Sequence, residues 1–168
     1  MNSRDVLMDG FGRVRDDVHS AVDGLDSAAL HFRADKDANT IAWLIWHLSR
    51  VADDHVSEVA GVDQAWTTGG WARRFDLPFD EAATGYGHGS SDVESVRADS
   101  ALLLGYFDAV HEQTMKFVDG LRDADLDRVV DERWDPPVTL GVRLVSVIND
   151  CTQHAGQAAF IRGLAERR

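Results

Sequence analysis

The sequence predicts an all-α protein, a four-helix bundle with a long crossover between its second and third helices. Three observations carry this. Four long segments repeat apolar residues at threes and fours, no run of alternating strands interrupts them, and one connection is too long and too aromatic for a tight helix-helix turn. With 168 residues, 44% of them hydrophobic, the chain can bury one core and falls in the size range of a single domain spanning 1–168. No repeat, low-complexity tract or linker divides it.

The first predicted helix runs from about Ser3 to Leu25, with Ser3 as N-cap and Val6, Leu7, Phe11, Val14, Val18 and Val22 on its apolar stripe. After "RADKDANT", Asn39 or Thr40 can cap a second helix, marked by Ile41, Leu44, Ile45, Leu48, Val51 and Val59 and stopped near Gly61. A third is expected from Ser91 or Asp92 through Val96, Leu102, Leu103, Phe107, Val110, Met115 and Val118 to Gly120. The fourth follows Pro136-Pro137, with Thr139 as N-cap, and carries Leu140, Leu144, Val147, Ile148, Cys151, Ala155, Ala158 and Ile161. Between the second and third, Val62 to Ser90 holds Trp66, Trp71, Phe75, Phe79 and Tyr86 among five glycines; it should cross the bundle and cover a core end or line a site. "DRVVDERWDPPVTL" is expected to be partly extended.

Charge removes several function classes. A net charge of −12 with no basic stripe opposes binding to phosphate backbones, which depends on Lys and Arg displacing counterions. No stretch stays uncharged for the length of a membrane span, and Met1 to Gly24 lacks the apolar centre of a signal peptide. The single cysteine, Cys151, cannot form an internal disulfide, which fits a reducing cytoplasm. Arginine outnumbers lysine, and Ala, Asp, Val and Gly are plentiful, a bias associated with high-GC bacterial genomes.

The fourth helix carries chemistry where packing is expected. Asp150 and His154 stand four residues apart, hence one above the other on a helix face that borders the buried stripe at Val147, Cys151 and Ala158. A carboxylate placed near a core costs several kcal/mol unless it is paired or holds a cation. His47 occupies an analogous inward position between Leu44 and Val51, and helices packed about 8–10 Å apart can bring all three groups to one point. Two imidazoles and a carboxylate suit zinc, nickel or ferrous iron with a position left open. The alternative is a carboxylate-imidazole hydrogen bond beside a core histidine. Cys151, about 100° around the helix from Asp150, is read as a buried hydrophobe. Asp54 and His55 are candidates for supporting the site, Tyr86, His88, Trp71 and Arg74 for touching a substrate. Trp43 and Trp46 are read as packing, and His19, His31 and His111 as surface residues.

"NTIAWLIWHLSRVADDH" and "VINDCTQHAGQAAFIRGL" together resemble the DinB-like superfamily of metal-binding four-helix bundles, over nearly the whole chain. The branch is that of mycothiol-dependent maleylpyruvate isomerase N-terminal domains and low-molecular-weight thiol S-transferases. Its members carry a histidine late in the second helix and a Glu-x-x-x-His or His-x-x-x-His pair in the last, followed by a small-Gly-polar step. Here these fall on His47, on Asp150 and His154, and on "AGQ". Asp150 departs from the usual Glu or His, and its shorter side chain bears on the identity and affinity of the metal. The resemblance implies a metal-dependent transferase or isomerase. In it mycothiol, activated as a metal-bound thiolate, attacks a small electrophile. Three other classes stay open: a metal-dependent hydrolase, a non-catalytic metal-binding stress-response bundle, and a structural dimer module. A homodimer is expected.

Overall fold

The structure, a computed structural model, describes residues 1–168. Four long helices build it: α1 (Ser3–Val22), α3 (Ile41–Ala60), α7 (Ser100–Asp119) and α8 (Leu140–Ala165). Short helices α2 (Ser27–Leu30), α4 (Ala65–Thr68), α5 (Trp71–Phe75) and α6 (Ser90–Ser95) lie in the connections. A 3-10 turn (Asp123–Asp127) leads into a two-stranded antiparallel ribbon, β1 (Val129–Asp131) and β2 (Val138–Thr139).

The helices begin where local chemistry stops their first turns from unravelling. Thr40 and Thr139 cap α3 and α8 by accepting from the amides of Trp43 and Val142, as their positions predict. Gly61 ends α3 in the left-handed region at φ 67°. The cap of α1 is Asn2 rather than Ser3, because Asn2 and Asp5 form a reciprocal capping box. The expected third helix is two. Val96 turns extended after α6, and Asp99 then caps α7 by accepting from Leu102 N. Val6, placed on the stripe by its spacing, is exposed in the first turn of α1.

Pairwise contacts set the helix directions. His19 reaches Asp108 while Arg4 reaches Asp119, so α1 and α7 are antiparallel. Leu48 meets Cys151 and His55 meets Arg143, so α3 and α8 are antiparallel too. Asp53 and Tyr106, with Ser57 and Gln113, make α3 and α7 parallel neighbours. Consecutive long helices that run parallel need a connection as long as themselves, about 30 Å for a twenty-residue helix. That requirement explains the crossover after Gly61. Its Trp66 and Phe75 are buried against Tyr106, whereas Tyr86 points into solvent at 94% exposure. No helix is long and apolar enough to cross a membrane.

Candidate metal centre

The seam between α3 and α8 brings His47, Asp150 and His154 together. One ligand atom from each lies within 4.8 Å of the others. His47 is buried, while His154 and Asp150 stand at the rim with side chains 19% and 38% exposed, so the inward placement expected of Asp150 holds only in part. Behind them the Cys151 thiol donates weakly to the Leu48 carbonyl at 3.8 Å, and full burial pushes its pKa far above the ordinary thiol range. Cys151 is packing.

Neighbours decide which nitrogen of each ring is free. His47 Nδ1 lies against the Thr84 carbonyl, which can only accept; Nδ1 therefore carries the proton and Nε2 keeps its lone pair. Burial lowers the pKa of His47 despite that hydrogen bond and favours the neutral ring. His154 Nδ1 faces Gln157 Oε1 at 3.2 Å and Nε2 faces Asp150 Oδ1 at 3.6 Å. The Asp150 carboxylate 3.6 Å away raises the pKa of His154 against the opposing effect of burial. Burial also opposes ionisation of Asp150, but the adjacent His154, with the charge of His47 and His55 behind it, overcomes this and holds the carboxyl below its ordinary value.

One atom is left without a partner. Asp150 Oδ2 is buried and accepts nothing. An ionised oxygen in that state calls for a cation. With two imidazoles whose Nδ1 atoms are partnered elsewhere, His47 by Thr84 and His154 by Gln157, the donor set fits a divalent transition metal.

The crossover walls the site, and Thr84 and Gly85, which no motif marks, bring it against the ring of His47. Gly85 sits at φ +96°, and a Cβ there would come within 2.7 Å of His47 Nδ1. Only glycine lets the chain pass close enough for Thr84 to bond the ring. Trp43 stacks on His47 with centroids 4.6 Å apart, and its indole N–H donates to His88 Nδ1 at 3.2 Å. His88 in turn packs on Trp46 and Phe79. Its place in "TGYGHGS" is thus in the wall, while Tyr86 is free of the site.

A buried ion pair anchors this wall. Arg50, fully buried, donates to the carbonyls of Ala83 (3.1 Å) and Glu81 (3.5 Å) and to Gln64 (2.8 Å), and pairs with Asp53 at 3.8 Å. Asp53 accepts from the amides of Ala65 and Trp66 and from the Tyr106 hydroxyl. The pair thus clamps the entry and the exit of the crossover to α3. Two charges at i, i+3 on the most apolar helix were the available sequence signal.

Other candidates lie elsewhere. His55 Nδ1 accepts from Arg143 at 3.0 Å and Asp54 accepts from Gln64 at 2.8 Å. Both line a charged cleft of about 880 Å³, two turns along α3 from His47. Arg74 lies over the face of Trp71, and Trp71 packs on Tyr106 of α7. His19, His31 and His111 are partly buried rather than open surface residues; His19, for example, meets Asp108 at 2.9 Å.

The fold and site define a class, a four-helix bundle of the DinB-like kind with a candidate His-Asp-His centre on the seam of its second and last long helices. Within it, the chain belongs to the mycothiol-S-transferase family, whose sequence profile, described as Mycothiol-S-transferase, matches residues 6–166. A crystal structure of a conserved protein from Enterococcus faecalis is similar throughout, with a TM-score of 0.92, 27% identity, and coverage of 100% of this chain and 99% of that one. No match is found among curated proteins.

Proposed function

We propose that this protein is a metal-dependent thiol S-transferase that joins mycothiol to a small electrophile. One observation carries the metal: three ligand atoms converge within 4.8 Å while Asp150 Oδ2 is buried without a partner. Family membership supports the thiol. A divalent ion held by His47, Asp150 and His154, zinc by first choice with nickel or iron as alternatives, would lower a thiol pKa from about 8.5 and make it nucleophilic at neutral pH.

The chain's own groups prepare that state. Thr84 fixes the tautomer and plane of His47, Gln157 lies within hydrogen-bond reach of His154 Nδ1, and Asp150 offsets half of a divalent charge. The charged cleft at His55 and Arg143, two turns along α3 from His47, offers room for the hydrophilic body of a long thiol. In the overall exchange, sulfur supplies the electron pair of the new C–S bond. The leaving group departs with its own pair, and the thiol proton passes to solvent. The thiol cosubstrate and the single buried Cys151 suit the cytoplasm.

The test is thioether formation from mycothiol and 1-chloro-2,4-dinitrobenzene. Zinc-loaded protein is expected to accelerate it, EDTA to abolish the acceleration, and Asp150→Asn, which removes a ligand, to lose more than the roughly 10–100-fold that loss of a ligand's supporting partner costs. A rate equal to the uncatalysed background with mycothiol and a panel of electrophiles would reject the proposal.

A further inference from the structure

On the other side of the trio from the charged cleft, α8 and the start of α3 enclose an open cavity of about 480 Å³. It adjoins the candidate centre directly, since Gln157 on its wall is the residue bonded to His154. Leu44, one turn before His47, forms part of its floor with Ile161.

Three features mark it as a binding site of particular chemistry. No charged residue lines it, in a chain of net charge −12. Its polar groups are the amides of Asn39, Gln153 and Gln157, and its rim holds Phe160 with 66% of its surface open. Finally, Gly156 lies in the lining, and a Cβ there would meet nothing within 4 Å. We propose that this cavity seats the electrophilic substrate, and that this substrate is a small uncharged molecule with a flat apolar part and hydrogen-bonding oxygens. The proposal rests on the thiol-transfer reading. Phe160 offers an aromatic face for stacking and the carboxamides offer N–H donors. The lining offers no cationic side chain to replace a carboxylate's water, so a dicarboxylate, of which the adjoining centre could meet one end at most, is disfavoured. The volume suits such a molecule.

Two unreactive probes of nearly equal shape, 4-methyl-3-nitrobenzamide and 4-methyl-3-nitrobenzoate, separate charge from size. Calorimetric titration of the wild type should show the amide binding at least about tenfold tighter than the benzoate, the scale on which a polar mismatch discriminates. Gly156→Leu, which fills open space on a helix and should leave Tm unchanged or raised, should abolish amide binding. His154→Ala should retain it. That retention separates the two claims, because neither probe has a leaving group and the variant lacks one member of the donor set. Equal or tighter binding of the benzoate, undiminished binding by folded Gly156→Leu, loss of binding in His154→Ala, or no amide binding by the wild type would each overturn the proposal.

Discussion

At His154 the ring sits between two acceptors, Gln157 Oε1 at 3.2 Å and Asp150 Oδ1 at 3.6 Å, and the carboxylate favours its protonated form. His47, buried and bonded to one neutral carbonyl, is favoured in the neutral form. In the metal-free protein the two imidazoles should titrate in opposite senses, His154 above the ordinary histidine value and His47 below it. Stability follows the same signs. His154 contributes fully below its unfolded value and loses that contribution as pH rises through the folded one; His47 costs stability as pH falls below its unfolded value. Ring-carbon NMR titration checks this, with Asp150→Asn expected to bring His154 down. A His154 that titrates with or below His47 would contradict the assignment. Gly85 offers a steric test. Ala there places Cβ 2.7 Å from His47 Nδ1 at φ +96°. The crossover must lift and the Thr84 bond must lengthen, so chelator competition should show zinc affinity lower by about 10–100-fold. Unchanged affinity would remove Thr84 and Gly85 from the site.

Between elements, the Arg50–Asp53 pair and the Asp131–Arg143 pair tie α3 to the crossover and α8 to β1. Asp53→Ala leaves a buried guanidinium uncompensated and should destabilise the protein by about 3–5 kcal/mol in denaturant melts. A loss under about 1 kcal/mol would mean that Arg50 finds solvent. Asp131 is bonded first by Arg133 and also by Arg143, and these hold its carboxyl well below the ordinary value. Its contribution is therefore present above the unfolded carboxylate pKa and lost as pH falls through the folded value. The stability gap between wild type and Asp131→Asn should stay constant near neutrality and close only in strong acid. A gap that closes near pH 6 would point to a histidine instead. The four long helices were legible because their periodicity and the caps Thr40 and Thr139 agree. The break at Val96 to Asp99 was not, because Val96 and Ala98 are buried in the same core that a continuous helix would face. Helical spacing made His47, Asp150 and His154 candidates, with a carboxylate-imidazole hydrogen bond beside a core histidine as the alternative, and the family resemblance singled them out. The fold brings the three together. Thr84 and Gly85 could not be read in this way, since their roles arise where a loop folds back on α3, and Arg50 showed only as one of two charges on an apolar helix.

For the whole molecule, the parallel course of α3 and α7 makes the long crossover necessary, and that crossover carries the carbonyl that orients His47. Fold and site are thus one device, and a metal bound to the native state should stabilise it globally. Zinc at about 100 times its Kd should add about 2.7 kcal/mol, which raises Tm by about 5–10 °C for a chain of this size. His154→Ala should show little of that shift. The most direct check on the central claim is metal content by elemental mass spectrometry on untagged protein, wild type beside His154→Ala. Near-stoichiometric divalent metal in the wild type and its loss in the variant is the predicted result. No metal in either protein, even after dialysis against zinc, nickel and manganese, would contradict a His47-Asp150-His154 metal centre and the transferase built on it.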